Sequence, residues 1–281
     1  MVFFCDLSCE NVNSTHKFEC GTPFHKIKDL DVKCAIQIVL EAMDIFGDFD
    51  DLRDFVHKAI ENRVGIPSAS DKRSLKFDCI LKLQPKEFPT EQEVNEAREI
   101  ASNAYKQIVT FPEVNKYFRL DKRNGRHFLE HFLAHNLSVI YENSFRINLT
   151  ANKGECERIL IYDILSMFNH SCAPNMLNYV CGNKMVCITN QQIQRGEQLY
   201  ISYRPFNYES KIERQKELNN WNFECHCDRC EYPRDIHPNE IQRAKRLNKR
   251  QIESQLNKAE EWTPQICAYI LRYYELLGFY Y

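Results

Sequence analysis

Asn169-His170-Ser171-Cys172-Ala173-Pro174-Asn175 is the stretch on which the reading of this chain turns. It is followed by Gly196-Glu197-Gln198-Leu199-Tyr200-Ile201-Ser202-Tyr203 and then by Cys225-His226-Cys227-Asp228-Arg229-Cys230. The last of these supplies three soft thiolates at a spacing that wraps a tetrahedral zinc, with Zn–S bonds of about 2.3 Å. A structural zinc site takes four protein ligands. Cys172, some fifty residues upstream, is the candidate for the fourth beside Cys225, Cys227 and Cys230. The competing reading is a group of unrelated buried thiols, but the interleaved His226 and Asp228 would sit poorly in a core segment. A metal held this way would staple the C-terminal segment across the Asn169 loop, and its binding energy would count as folding energy.

Bulk properties exclude several classes. The chain has 281 residues, with 37 basic against 39 acidic and a formal charge of −2, so no global field draws it to nucleic acid or to an anionic membrane surface. The basic run from Arg243 to Arg250 reads as a solvated helix face. No apolar stretch approaches the roughly 18 residues of a membrane span, and Met1-Val2-Phe3-Phe4 lacks the form of a secretory leader. These features point to an intracellular protein of the nucleus and/or cytoplasm, without membrane or nucleic-acid partners. Thirteen cysteines in a reducing compartment favour metal ligation over disulfides. The Asn-x-Ser/Thr matches at Asn13, Asn136, Asn148 and Asn169 are then coincidental.

Periodicity gives an α+β layout. Apolar residues recur at helical spacing from Asp31 to Asn62, and Gly65 to Ser74 reads as a polar loop. Thr90, with Glu93 three residues on, caps a helix running to about Val109, and Phe128 to Phe145 reads as another. Met176 to Cys181 and Lys184 to Thr189 are short β-prone runs joined by Gly182-Asn183, a two-residue hairpin signal. Leu199 to Tyr203 is a third such run, helical character returns after Tyr208 through Asn219, and it resumes from about Asn239.

Taken alone, Asn-His-Ser is an ordinary turn and Gly196 to Tyr203 an edge strand with a core tyrosine. Taken together and in this order, the three motifs resemble the core of a SET-domain lysine methyltransferase. Phe4-Cys5-x-x-x-Cys9 followed by His16-x-x-x-Cys20 resembles the second half of a MYND zinc finger. Asn143-Ser144-Phe145 and the run from Arg214 to Cys230 resemble further segments of the SET-and-MYND branch. This resemblance covers most of residues 1 to 230 and only loosely the tail beyond Pro233.

The resemblance implies a SET-type β core with a helical insert, a cysteine-rich post-SET zinc site and a short helical tail. The corresponding divisions are a partial MYND-like finger at 1–20, the insert at 21–125, the SET core at 126–204, the post-SET segment at 205–232 and the tail at 233–281. It implies S-adenosylmethionine and zinc as cofactors and a protein bearing a target lysine as substrate. Tyr203 would be the catalytic tyrosine. Asn143, Asn169, His170, Tyr203, Trp221 and Phe223 would line the donor pocket, with packing in the core as the competing reading for Trp221 and Phe223. Zinc would be held by Cys172, Cys225, Cys227 and Cys230, and a partial finger by Cys5, Cys9, His16 and Cys20. The finger remnant and the helical tail are candidate contacts for protein partners.

The sequence also departs from the branch. No two of its glycines stand two apart, so the Gly-x-Gly turn that approaches the methionine end of the donor is not among these residues, nor are the first cysteine pairs of the finger. This sets a second expectation beside the enzyme: a catalytically impaired SET-scaffold adaptor, truncated at its N-terminus.

Overall fold

The computed structural model describes residues 15–19, 21–61, 71–151, 154–181, 184–204 and 210–232, and in the tail residue 247, residues 249–258 and scattered positions from 263 to 273. Its elements divide into two compact units, one comprising residues 1–148 and 155–167, the other residues 149–154 and 168–281.

The first unit is built on helices. After a four-residue helical turn, His16–Glu19, come α1 (Leu30–Ile45), α2 (Phe49–Glu61), α3 (Lys72–Leu81), α4 (Glu91–Ile108), α5 (Pro112–Tyr117) and α6 (Arg123–Asn143). Their starts are set by side chains that accept the orphan amides of the first turn. Asp29 accepts from the amides of Asp31 and Val32, and Asp71 from those of Arg73 and Ser74. Thr90 and Glu93 form the reciprocal box that the sequence suggests: the Glu93 amide donates to Thr90 Oγ1 at 3.2 Å and the Thr90 amide to Glu93 Oε2 at 3.0 Å.

The core of this unit contains Leu40, Leu52, Leu81, Ile108, Leu129 and Leu133, each fully buried. At about 1.5–3 kcal/mol for each large apolar side chain removed from water, these contacts supply the main driving force. Phe49 meets the rings of Phe118 and Phe128 edge-on, at 5.6 and 5.3 Å between centroids.

Two sequence expectations need correction here. Helix α3 begins at Lys72, inside the stretch read as a loop. Its inward positions, Ser74, Phe77, Asp78 and Leu81, do follow helical spacing, but two of the four are polar, so an apolar pattern could not show it. Asp78 is accommodated inside by a 3.0 Å ion pair with Lys82, and both side chains are buried. The helix placed at Phe128 to Phe145 is α6, which starts five residues earlier and ends at Asn143. Phe145 instead opens β1 (Phe145–Ala151), paired with β2 (Gly154–Leu160), a hairpin the sequence reading did not anticipate.

Gly125, in the first turn of α6, is required by close approach. A Cβ placed there would lie 1.8 Å from the Phe118 carbonyl oxygen and 2.9 Å from its carbon, both backbone atoms. Gly125→Ala is expected to destabilise the fold by about 3 kcal/mol. That corresponds to a fall of roughly 10 °C in the thermal midpoint measured by circular dichroism.

The second unit carries the short strands β3 (Asn169–His170), β4 (Met176–Cys181), β5 (Lys184–Thr189) and β6 (Tyr200–Ile201), then α7 (Lys211–Leu218), α8 (Asp228–Glu231) and α9 (Lys249–Asn257). Strands β4 and β5 pair antiparallel from Met176↔Thr189 to Cys181↔Lys184, the hairpin expected from Gly182-Asn183. The third β-prone run is ordered as a strand only at Tyr200–Ile201. Leu177 and Ile188 of the hairpin pack with Ile252 and Leu256 of α9, so the tail helix turns its apolar residues onto the small β core. The part of the tail from 239 to 246, read as helical, lies outside the described residues. Among those described, no helix is long and apolar enough to cross a membrane.

Candidate functional site: a cysteine cluster beside an aromatic cradle

Strand β3 runs parallel to β6, with Asn169 opposite Tyr200 and His170 opposite Ile201. Two elements 30 residues apart in sequence are thus laid side by side, and the Ser171 amide extends the pairing by donating to the Ile201 carbonyl at 3.0 Å. Asn175, 6% exposed, secures the arrangement. Its Nδ2 donates to the Gln198 carbonyl at 2.9 Å and its Oδ1 accepts from the Tyr200 amide at 2.8 Å. A side-chain amide offers a donor and an acceptor in one plane, as a backbone partner would, and this suits asparagine to the end of the motif. On the exit side, Asn190 Nδ2 donates to the Pro174 carbonyl at 2.8 Å. Gly196, at φ +89°, turns the chain into β6 in the left-handed region that glycine adopts without strain.

Cys172, at the apex of this loop, meets the C-terminal thiols. The sulfurs of Cys172, Cys225, Cys227 and Cys230 all lie within 4.8 Å of one another. Cys172 Sγ is 3.9 Å from Cys225 Sγ and 3.6 Å from Cys230 Sγ. Tetrahedral zinc with bonds of about 2.3 Å requires about 3.8 Å between sulfurs, so the four residues fit that ion in number, chemistry and spacing. Among the described residues this is the one group of three or more such side chains close enough to hold a metal.

The surroundings hold the thiols in place. Gln215 of α7 clasps the Cys225 backbone from both sides: its Nε2 donates to the carbonyl at 3.0 Å and its Oε1 accepts from the amide at 3.1 Å. Arg229 Nη1 donates to the Cys172 carbonyl at 3.1 Å, tying α8 to the loop. Arg214, only 3% exposed, brings Nη2 to 3.4 Å from Cys230 Sγ. Two guanidinium groups beside four sulfurs offset the negative charge that thiolates would concentrate there. Hydrogen bonds among the thiols push Cys172 upward and, together with one from Ser171, hold Cys227 well down. Gln215, Arg214 and Arg229 were not singled out from the sequence as parts of this site. Their spacing around the cysteines carries no signal until α7 is folded against them.

The aromatic residues gather around His170, with Trp221 and Phe223 also packed against the cysteine cluster. The Tyr203 ring lies 5.2 Å from that of His170, 5.3 Å from Trp221 and 6.2 Å from Phe223, and His170 is 5.9 Å from Phe223. Tyr203, Trp221 and Phe223 are half-buried; Asn169 is exposed, on the strand β3 position before the buried His170. The Tyr203 hydroxyl donates to the Phe168 carbonyl at 3.0 Å, and its amide donates to His170 Nδ1 at 3.1 Å. Burial lowers the His170 imidazole to about 4, so the ring is neutral near pH 7. His170, Tyr203, Trp221 and Phe223 are brought together, as are the four cysteines next to them. Asn143 belongs to the helical unit, where its Nδ2 donates to the Gln84 and Val139 carbonyls at 2.7 and 2.8 Å. His16 is on the first helical turn, while Cys5, Cys9 and Cys20 lie outside the described residues.

Comparison with known proteins covers the part of this site up to Tyr203. Residues 70–204 match the SET domain, so the chain carries a SET domain that contains β3, β6 and Tyr203. Among individual proteins, the chain is 32% identical over 102 residues to the potential protein lysine methyltransferase SET6 of Saccharomyces cerevisiae, covering 35% of this chain and 27% of that protein. It is 34% identical over 84 residues to the histone-lysine N-methyltransferase SET5 of Eremothecium gossypii, covering 30% of this chain and 17% of that one. It is 31% identical over 85 residues to the SET domain and MYND-type zinc finger protein 6 of Schizosaccharomyces pombe, covering 30% and 18%. The matches thus span 17% to 27% of these relatives' own lengths.

Proposed function

We propose that this chain is an S-adenosylmethionine-dependent protein-lysine N-methyltransferase of the SET-and-MYND type, with a post-SET zinc centre at Cys172, Cys225, Cys227 and Cys230. The observation that carries the reading is the parallel pairing of Asn169–His170 with Tyr200–Ile201, which sets Tyr203 and its aromatic neighbours against a four-cysteine cluster. Asn169, the His170 backbone, Trp221 and Phe223 are the groups suited to an adenine, which needs flat apolar faces and edge hydrogen bonds. When bound, S-adenosylmethionine would supply a methyl group activated by a sulfonium.

The residues of the chain do the positioning. A lysine amine must be neutral to attack, although its ordinary value is about 10.4. The aromatic residues around Tyr203 would give the amine a partly apolar surround, and a desolvated ammonium gives up its proton more readily. The Tyr203 phenol, its own proton committed to the Phe168 carbonyl, presents oxygen lone pairs that accept a hydrogen bond from the incoming amine. Holding the amine in line accounts for most of the acceleration, since effective molarities of roughly 10⁵ M and above follow from such fixation.

Calorimetric titration of the full chain with S-adenosylmethionine tests the reading, with saturable one-site binding expected. Absence of any saturable heat, with zinc bound, would leave the adaptor and remove the enzyme.

A further inference from the structure

We propose that the His170 imidazole is a positioning residue that couples the four-cysteine metal centre to the strand carrying Tyr203, so that each is ordered through the other. The inference rests on the proposed zinc site and on the role given to Tyr203, and goes beyond both.

The hydrogen-bond chemistry of one ring carries it. A backbone N–H can only donate, so the 3.1 Å contact from the Tyr203 amide makes His170 Nδ1 an acceptor with a lone pair. A ring that keeps this lone pair on Nδ1 carries its proton on Nε2. That nitrogen lies 3.3 Å from Cys172 Sγ, so Nε2–H is aimed at the sulfur. A metal-bound thiolate is an acceptor, and a hydrogen bond to it both fixes the ligand and disperses its charge. His170 is 7% exposed and packs against both the Tyr203 and Phe223 rings, at 5.2 and 5.9 Å between centroids, which restrains the turning of its plane. The two bonds are consequently not independent: rotating the ring to improve one degrades the other. With the metal in place, Cys172 holds Nε2, the ring holds its plane, and Nδ1 holds the Tyr203 amide. In the other direction, an ordered Tyr203 strand keeps a donor on the Cys172 sulfur.

Two substitutions cut the link at opposite ends. His170→Asn retains an acceptor near the position of Nδ1 but cannot reach Cys172, whereas His170→Gln retains a donor near Nε2 and loses the acceptor. Both are measured in the full zinc-loaded chain by amide hydrogen exchange at Tyr203 and by the rate of zinc transfer to a colorimetric chelator. Coupling predicts that each variant loses both properties. The Tyr203 amide should exchange roughly tenfold faster and zinc should leave several-fold faster in Asn and Gln alike, the size of one net hydrogen bond. Amides of the Met176–Cys181 and Lys184–Thr189 hairpin should exchange at the wild-type rate.

If His170→Asn loosens only the metal while His170→Gln frees only Tyr203, the two bonds are separate and the proposal is overturned. Loss of protection reaching the hairpin in both variants also overturns it, because the effect is then general. Wild-type chain without bound zinc, established by elemental analysis beforehand, would instead remove the metal reading on which the inference stands.

Discussion

Cys172→Ser is expected to weaken zinc binding by at least a hundredfold and to release the segment from Lys211 to Cys230. Cys172 is fully buried and belongs to a loop 53 positions from Cys225, so on the proposed reading its sulfur would be the ligand that ties the cysteine trio to the β3 loop. Structural zinc contributes on the order of 10–16 kcal/mol in small zinc-dependent folds, and that free energy depends on a closed four-ligand set. The satellite core around the site is composed of the ligands themselves together with Leu218, Trp221 and Phe223, so it has little else to hold it. Removing the metal with a chelator should act in the same way. Elemental analysis reads the affinity, and trypsin reads the structure: Arg214, 3% exposed in the folded chain, should become a cleavage site. Cys187→Ser, exposed on the hairpin outside the cluster, should keep full zinc content and resist cleavage. Equal zinc content in the Cys172 and Cys187 variants would remove the staple.

The parts of this architecture that could be read from sequence are those encoded locally. Thr90 with Glu93 marks a helix start because both partners of the cap lie within four residues, and Gly182-Asn183 marks a hairpin because the turn dictates the register of its flanks. The three cysteines at 225, 227 and 230 announce a metal by their spacing. Assigning Cys172 to them, and Trp221 and Phe223 to the surroundings of Tyr203, needed the resemblance to a family, since nothing local links positions 50 residues apart. Beyond both lay the contacts that arise only from the threading. Gln215 holds the Cys225 backbone with an amide that any exposed helix could carry, and Asn175 joins the loop to Gln198 and Tyr200 across a parallel pair that no turn residue signals. Helix α3 was obscured for a different reason: its buried face spends two of four positions on Ser74 and Asp78, and the Asp78–Lys82 pair compensates the charge out of sight of any hydrophobic pattern.

Tyr203→Phe should lower the methyl-transfer rate by about a hundredfold to a thousandfold, the range seen when one positioned polar group is removed from a transition state. The affinity for S-adenosylmethionine should change by less than about tenfold, since the ring that packs against His170, Trp221 and Phe223 is retained. The distinction follows from the direction of the hydroxyl. With its proton given to the Phe168 carbonyl, the phenol would, on the proposed reading, act as an acceptor toward a substrate amine rather than as a base that takes its proton. The variant loses the orienting lone pairs and leaves the Phe168 carbonyl short of a donor, so a modest loss of local stability accompanies the kinetic effect, about 1 kcal/mol for one net hydrogen bond. If the phenol were instead the base, removing it would abolish the rise in rate that accompanies its ionisation as well as the rate itself. An orienting phenol leaves the shape of the profile unchanged and lowers its height. Single-turnover rates across pH with wild-type and variant chains separate the two, and a variant as fast as wild type would remove Tyr203 from the chemistry altogether.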